Sequence, residues 1–367
     1  MALPKVFSHE PPYFVQSHFI ALLRFAHVHH CSDLTFQPHC PVMAFQYGSQ
    51  YPLTQRLLLR NEVEDFLNFI YGSNAVAKVL SGTDLDFSYS HNDDNNNIMR
   101  FRVNATLGFH QDHLILQISL RVMPETIPLL DSLDIPDDII PLSQIKDGIV
   151  MVCGATGSGK STLLASMMLE RASSSHQGEK IITYESPIEY LLPAYINQSN
   201  IIQTELPRCL SNYAYAVRNA LRRTPTAIML GEARDSETIS AVIEASLTGH
   251  AIYTTMHSQS VLETVNRLLM MFNTYEKARI QYDFFMSIRA IIWQKLLPSA
   301  EGKRTALREY LIFDQPLKQA LVEKNANVAA LLNQALHQKG TTRLQHLETL
   351  YQKNIISENT YREHHHE

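Results

Sequence analysis

The sequence has few cysteines, few glycines and no long hydrophobic run. Its 367 residues include four cysteines and 13 glycines, and the cysteines are scattered without a CxxC pair. Such a distribution indicates neither a zinc ribbon nor a disulfide framework. No window approaches the roughly 20 apolar residues that a membrane helix needs, and the N-terminus lacks the pattern of a secretory signal. We therefore expect a cytoplasmic protein without a membrane-inserted segment.

Charge is also sparse. Charged residues make up 18% of the chain, hydrophobic residues make up 45%, and the formal net charge is −5. The high apolar content excludes a largely disordered chain. The mildly acidic balance disfavours direct binding of nucleic acid, because such binding depends on basic side chains that neutralise phosphates. At roughly 100–200 residues per domain, the length predicts two or three domains.

Residues 1–123 have the patterning of a mixed α/β domain. Apolar and polar residues alternate over 86–90 and 99–103, and the asparagine- and aspartate-rich stretch 92–97 separates the two runs. This arrangement predicts a β-hairpin. An alternating run over 114–122 predicts another strand, with four apolar side chains on one face: Leu114, Leu116, Ile118 and Leu120.

The composition changes twice further along the chain. The stretch 124–145 contains four prolines and four aspartates, which is typical of a linker. In 146–367, short apolar runs alternate with helical patterns, and this predicts a parallel sheet covered by helices on both faces. One helix is expected to begin after Asp235, a suitable capping residue. The predicted strands are 149–153, 180–184, 227–230 and 251–255.

A glycine-rich loop with the pattern GxxxxGK[ST] directly follows the first of these strands and precedes the helical run 162–172. In such a loop the backbone N–H groups and the start of the helix point at phosphate oxygens. Lys160 would reach the β- and γ-phosphates, and the Ser161 hydroxyl would bind Mg²⁺. The sequence therefore predicts a nucleotide site formed by Gly154, Ala155, Thr156, Gly157, Ser158, Gly159, Lys160, Ser161 and Thr162.

Three polar residues follow other predicted strands. Glu185 ends one of them, at the edge where open parallel sheets bind ligands, and there it could orient or deprotonate the water that attacks the γ-phosphate. Glu232 follows the next strand and could hold Mg²⁺ through a water, and His257 follows a third. Read alone, Glu185 is equally a solvated strand-end glutamate, and His257 a hydrogen-bonded structural histidine. The GTPase motif NKxD and the transporter motif LSGGQ are absent.

Taken together, the motifs resemble a known family. The chain contains, in this order, GATGSGKST, TYESPIEY, LGEARDSET, TGHAIYTTMHS and ETVNRLL. They are similar to the Walker A, Asp-box, Walker B and His-box motifs of the hexameric PilT/GspE-like ATPases of type II and type IV secretion and type IV pili. Residues 216–223, 292–298 and 306–311 are most similar to the DotB- and TraJ-like branch of type IVB secretion and plasmid conjugation. The four-cysteine zinc motif of many pilus-extension and type II secretion members is missing.

This resemblance implies an architecture and roles for individual residues. The fold class is α/β, with a PAS-like N-terminal domain at 1–123 and a RecA-like P-loop ATPase domain, with a helical C-terminal region, at 146–367. Glu185 matches the catalytic glutamate, Glu232 the Walker B carboxylate and His257 the His-box residue. Ser186 stands where most relatives have aspartate, so one possible carboxylate near the metal is lost.

Three arginines are candidates for completing the site. Alternation places Arg100, Arg102 and Arg121 on the face of their strands opposite the apolar residues. A guanidinium can meet the charge that develops on the γ-phosphate, and in the resembled family such arginines come from the N-terminal domain as domains or subunits close. The alternative is an ordinary solvated face of a sheet.

The resemblance implies a cytoplasmic homo-hexamer, peripheral to the inner membrane, that hydrolyses ATP with Mg²⁺ to power substrate transfer in type IVB secretion or conjugation. Its partners would be inner-membrane components of such a machine, including a second ATPase. A pilus-retraction motor would share the same chemistry. A nucleic-acid translocase would show nucleic-acid-stimulated hydrolysis, which the net charge does not favour. A scaffold that binds ATP without turnover is a third alternative, and the presence of both Glu185 and Lys160 argues against it.

Overall fold

A computed structural model describes residues 6–92, 98–110, 112–323 and 326–365. Its contacts divide the chain into two compact units. The first unit comprises Met1–Thr126 together with Ser186–Glu189, and the second comprises Ile127–Glu185 together with Tyr190–Glu367. Most of the asparagine- and aspartate-rich loop expected in the N-terminal hairpin, residues 93–97, lies outside the described residues.

The first unit is built on one antiparallel sheet flanked by helices. Its elements in chain order are α1 (Gln16–Val28), β1 (Asp33–Phe36), β2 (Met43–Gln46), β3 (Ser49–Pro52), α2 (Arg60–Tyr71), α3 (Ala75–Leu80), β4 (Leu85–Asn92), β5 (Ile98–His110) and β6 (His113–Val122). The strand order is β3-β2-β1-β6-β5-β4. Strands β4 and β5 pair antiparallel, so the predicted hairpin is confirmed.

Alternation along β5 and β6 decides which face of this sheet is buried. Phe101 and Val103 are fully buried, as are Ile118 and Leu120 on β6, because they face the core that includes helices α1 and α2. Leu114 shares their face by alternation but is 42% exposed. It lies at the start of β6, opposite the exposed Phe109 near the end of β5, where the core has ended.

The second unit is built on a larger, mostly parallel sheet. Its elements are β7 (Gly148–Cys153), α4 (Lys160–Ser174), β8 (Lys180–Glu185), β9 (Tyr195–Ile196), β10 (Ser199–Glu205), α5 (Tyr213–Ala220), β11 (Ala227–Leu230), α6 (Ser236–Leu247), β12 (Ala251–Met256), α7 (Val261–Met270), α8 (Thr274–Ser287), β13 (Ile288–Pro298), β14 (Arg304–Ile312), α9 (Gln315–Val322), α10 (Val328–Gln338), α11 (Arg343–Gln352) and α12 (Glu358–His364). The strand order is β14-β13-β7-β12-β11-β8-β10-β9. Strands β13 through β10 in that order run parallel, and the edge strands β14 and β9 are antiparallel to their neighbours.

Burial explains why these strands read as continuous apolar runs. Every residue of β7, β11 and β12 is buried, because hydrophobic clusters cover both faces of the sheet. The predicted strands and the parallel pairing are thus confirmed. Helix α6 begins after Asp235, whose carboxylate accepts a hydrogen bond from the Thr238 N–H at 2.8 Å, as the sequence indicated.

The proline-rich stretch is more ordered than a linker composition suggests. It contains two short 3₁₀ helices, Leu130–Leu133 and Ile140–Gln144, and from Ile127 onward it belongs to the second unit. Its apolar residues Leu130, Ile139 and Leu142 are buried against the sheet of that unit. The prolines fix the turns, and the apolar residues between them supply the packing energy. Among the described residues, no helix combines the length and apolar character needed to cross a membrane.

Candidate functional site

The glycine-rich loop connects β7, which ends at Cys153, to α4, which begins at Lys160. Its glycines Gly154, Gly157 and Gly159 have φ of +147°, +77° and +85°, values that residues with a Cβ rarely adopt. At Gly154 a Cβ would also lie 2.4 Å from the backbone oxygen of Gln294. The spacing of glycines in the motif therefore matches both the backbone conformation and the close packing of the loop.

Lys160 is the charged residue of this loop, and it is only 8% exposed. Its Nζ donates hydrogen bonds to the carbonyl oxygens of Gly154 at 2.9 Å and Ala155 at 2.8 Å. The ammonium group is thus held over the loop, next to the N-terminal end of α4. Backbone N–H groups, a helix N-terminus and a cation in one place form an environment suited to a phosphate chain.

Glu185 is the last residue of β8 and is 6% exposed. Its Oε1 accepts hydrogen bonds from Thr183 Oγ1 at 2.6 Å and from Gln203 Nε2 at 2.9 Å. Gln203 also donates to the Tyr190 carbonyl at 2.9 Å and accepts from the Leu192 N–H at 2.8 Å. A buried carboxylate fixed by two donors has a defined orientation.

Gln203 was not among the predicted site residues. It lies in β10 opposite Thr183 of β8, and no local motif surrounds it. Only the register of these two strands brings its amide to the carboxylate of Glu185.

Glu232 and His257 lie at the same edge of the sheet, beyond the ends of β11 and β12. Their side chains approach to 3.8 Å, measured from Glu232 Oε1 to His257 Nε2. The turn that carries Glu232 is fixed on both sides, because the Gly231 N–H donates to the backbone carbonyl of Tyr184 and the Ala233 N–H donates to the backbone carbonyl of Thr255. Since the carboxyl ends of β7, β8, β11 and β12 share one edge, the fold gathers the loop, both glutamates and the histidine there.

Oxygen donors for a magnesium ion are present at this edge. Mg²⁺ prefers hard oxygen ligands, usually one or two from the protein, with waters and substrate phosphates in the other positions. The hydroxyl of Ser161, in the first turn of α4, and the carboxylate of Glu232, which is 28% exposed, are groups of this kind. The donor chemistry therefore fits the predicted metal.

Tyr213 is a second residue that the sequence patterns did not indicate. It begins α5, and its hydroxyl would lie 2.9 Å from a Cβ at Gly231. Burial, followed by the nearby charges of Glu232 and Glu185, raises the pKa of Tyr213. The phenol therefore stays neutral, and both carboxylates are near enough to affect its pKa. No motif includes it, and only the fold places α5 against the turn after β11.

A cavity of about 290 Å³ lies beside the loop. It is bounded by the end of the loop, the start of α4, β13 and β14. Its lining includes Leu133 of the first 3₁₀ helix, Thr162, Leu163, Gln294, Leu296 and Arg304. Three leucines give this otherwise mostly polar lining an apolar part, which is suited to a flat heteroaromatic ring attached to a phosphate chain.

The three predicted arginines are all engaged within the first unit. Arg100 is 1% exposed and donates to the backbone carbonyls of Ile188, at 2.8 Å, and Glu189. Arg102 is paired with Asp86, and Arg121 with Asp33, with side chains 42% and 72% exposed. The face predicted for them is correct, since Phe101 and Leu120 are buried on the other side of the sheet. Their catalytic role stays a prediction.

Comparison with known proteins gives a consistent result. A family model described as "Type II/IV secretion system protein" matches residues 92–364. The structure is similar to that of the ATPase DotB from Legionella pneumophila, with 41% identity, a TM-score of 0.90 and coverage of 98% of each chain. It is also similar to the pilus retraction motor PilT with bound ADP, with 27% identity, a TM-score of 0.80 and coverage of 94% of this chain and 96% of PilT.

A curated relative gives the same picture. The uncharacterized protein YggR of Escherichia coli (strain K12) is 36% identical over 252 residues, which are 68% of this chain and 73% of YggR. The α/β fold is similar to that of the DotB and PilT ATPases, as the two solved structures show.

Proposed function

The chain belongs to the type II/IV secretion system protein family, and on that premise we propose that it hydrolyses ATP to ADP and phosphate as the motor of a secretion or conjugation machine. The observation that carries this proposal is the grouping of a phosphate loop, a buried fixed carboxylate and a Glu–His pair at one edge of a parallel sheet. These are the groups that phosphoryl transfer to water requires.

In this proposal the nucleotide lies along the loop. The N–H groups of the loop and Lys160 bind the phosphates, and the adenine ring occupies the cavity next to Thr162. Ser161 and, through a water, Glu232 would hold Mg²⁺, which neutralises charge on the phosphates when it is bound. Glu185 orients and deprotonates the attacking water, because its Oε1 is fixed by Thr183 and Gln203 while the carboxylate stays at the strand end. His257 lies beside Glu232 and contacts the γ-phosphate side.

We further propose that the working form is a ring of six copies, as the sequence resemblance implies. Arginines from the PAS-like domain, among Arg100, Arg102 and Arg121, would then supply positive charge to the site, as the family pattern suggests. The ring would act at the cytoplasmic face of the inner membrane, docked on components that include a second ATPase. The similarity to Legionella DotB over 98% of both chains supports substrate transfer by a type IVB or conjugation system.

A pilus-retraction motor is the second candidate. It is favoured by the similarity to PilT, whose structure matches with a TM-score of 0.80. The chemistry at the site would be unchanged, and only the partner and the work done would differ. The higher identity and TM-score of DotB favour the first candidate.

The proposed function is tested by the ATPase rate per protomer as a function of protein concentration, for the wild type and for Glu185→Gln. This substitution keeps the shape of the side chain, and its amide oxygen can still accept hydrogen bonds from Thr183 and Gln203. It removes the carboxylate that acts as the general base. We expect the wild-type rate per protomer to rise as chains assemble. The variant should still bind ATP, but its turnover should be at least about 100-fold lower, which is the usual contribution of general-base catalysis.

Asp283→Asn, an exchange of the same kind on helix α8 outside the site, is the matched control and should hydrolyse ATP at the wild-type rate. A rate per protomer that does not change with concentration would contradict the ring. Full activity of Glu185→Gln would contradict the assignment of the base. A wild type that binds no ATP would refute the function as a whole.

A further inference from the structure

Gln294 lies beside the phosphate loop and is 2% exposed. It belongs to β13, which runs parallel to β7. In this pairing Trp293 is opposite Cys153, the last residue before the loop, so the next residue of β13 lies against the loop itself. No chemistry of the proposed reaction uses this residue.

Gln294 contacts both ends of the loop. Its backbone oxygen would be 2.4 Å from a Cβ at Gly154, where the loop begins. Its side-chain Nε2 donates a hydrogen bond of 2.8 Å to the carbonyl oxygen of Ser158, and would be 3.1 Å from a Cβ at Gly159, where the loop ends. Gln294 thus fills the space that the absence of side chains at Gly154 and Gly159 leaves open.

The hydrogen bond to Ser158 has a consequence for the next peptide group. In a planar trans peptide, the C=O of one residue and the N–H of the following residue point in opposite directions. Because the Ser158 carbonyl is directed at Gln294, the N–H of Gly159 is directed away from β13. The partner is a carbonyl oxygen, which only accepts, so the atom that meets it must be the amide nitrogen of Gln294.

We propose that Gln294 is a positioning residue that orients the Gly159 N–H for binding the phosphate chain of the nucleotide. The proposal rests on the proposed function and deepens it, since it explains how one donor of the loop is aligned before the nucleotide arrives. Gln294 acts on the phosphates through the Ser158–Gly159 peptide, and its side chain also borders the cavity proposed for the adenine ring. Tripolyphosphate has no such ring, so its binding reports the effect on the phosphates alone. A neutral amide suits this task, because it holds the carbonyl without adding a charge that would compete for phosphate.

The test uses the full chain and two phosphate ligands, ADP and inorganic tripolyphosphate. Gln294→Met keeps the length of the side chain and removes the donor, and Gln294→Glu also places a negative charge beside the loop. We expect Gln294→Met to raise both dissociation constants about five- to tenfold, the effect of one lost neutral hydrogen bond, and Gln294→Glu to raise them further. The KM for ATP should rise more than kcat falls, because the residue acts on phosphate binding.

Gln144→Met is the matched control. Its amide donates to Ser174 Oγ at 2.8 Å on the exposed surface, so the same exchange removes a hydrogen bond elsewhere. If Gln294→Met does not fold, as judged by circular dichroism, Gln294→Asn retains an amide that is too short to reach Ser158 and should weaken both ligands in the same direction.

Wild-type affinity for both ligands in the folded Gln294 variants would overturn the inference, and so would an equal loss in Gln144→Met. A wild type that binds neither ligand would refute the proposed function as well. A wild type that binds and hydrolyses ATP while the Gln294 variants match it would refute the inference alone.

Discussion

Replacing Gln203 with leucine is expected to slow ATP hydrolysis without weakening ATP binding. The amide of Gln203 joins the Glu185 carboxylate, at 2.9 Å, to the backbone carbonyl of Tyr190, also at 2.9 Å. Leucine has a similar volume and cannot donate. The Glu185 carboxylate would then be held by Thr183 alone among the contacts described above, and its orientation towards the water would be less fixed.

The size of the effect follows from the kind of bond that is lost. A hydrogen bond to a charged group contributes roughly 1.5–3 kcal/mol, and each 1.4 kcal/mol corresponds to about a factor of ten. If this whole amount is lost from the transition state, kcat falls about 10- to 150-fold. The KM for ATP should change by less than about threefold, because the amide contacts no part of the phosphate loop.

Steady-state kinetics of Gln203→Leu, Glu185→Gln and the double variant measure this prediction. Because Gln203 acts through Glu185, its substitution should cost little once the carboxylate is gone, and the two losses should be far from additive. Asn200→Leu, an exposed position near the other end of β10, is the control and should keep wild-type kinetics. Additive losses in the double variant, or a loss expressed in KM, would refute the reasoning.

Two further predictions concern Tyr213 and His346. Tyr213→Phe removes a neutral hydroxyl near Glu185 and Glu232. If this hydroxyl donates to one of the carboxylates when the nucleotide is bound, kcat should fall about fivefold with KM unchanged, and an unchanged kcat would contradict that contribution. Burial lowers the pKa of His346 from 6.5 to about 4. The unfolded chain therefore binds a proton that the folded chain does not, and stability falls as the pH drops from 6.5 towards 4. His346→Asn keeps an acceptor for the backbone N–H of Arg308 and removes the titrating group. In urea titrations of this variant, the free energy of unfolding should therefore fall by about 3 kcal/mol less between pH 6.5 and pH 4 than it does in the wild type.

The phosphate loop was predictable because all of its determinants are contiguous. The glycines, Lys160 and Ser161 are adjacent in the sequence, and the strand before them and the helix after them can be recognised by their own patterns. The positions of Glu185, Glu232 and His257 were also predictable, because parallel strands have their carboxyl ends at one edge, and each residue ends or follows such a strand. Their roles in catalysis remain predictions, since only geometry supports them here.

Gln203, Gln294 and Tyr213 could not be predicted in the same way. Each is a single polar residue in an apolar or mixed segment, and its partner is distant in sequence: Gln294 and Ser158 are 136 residues apart. The register of β10 on β8 and of β13 on β7 decides these contacts, and a register is a property of the folded sheet. Arg100 illustrates the same limit, because alternation gave its face but not the carbonyls of Ile188 and Glu189 that it binds.

Neutral amides are suited to supporting a site of this kind. Gln203 holds a carboxylate and Gln294 holds a carbonyl, and in both cases an arginine or lysine would make a stronger bond to the same acceptor. A cation at either position, however, would attract the phosphates and compete with Lys160, or would neutralise the base that Glu185 provides. In the proposed site, the charges that would act on the nucleotide come from Lys160, the two glutamates, the metal and the arginines, while uncharged amides orient Glu185 and the Ser158–Gly159 peptide. The two amides can therefore orient the site without changing its charge.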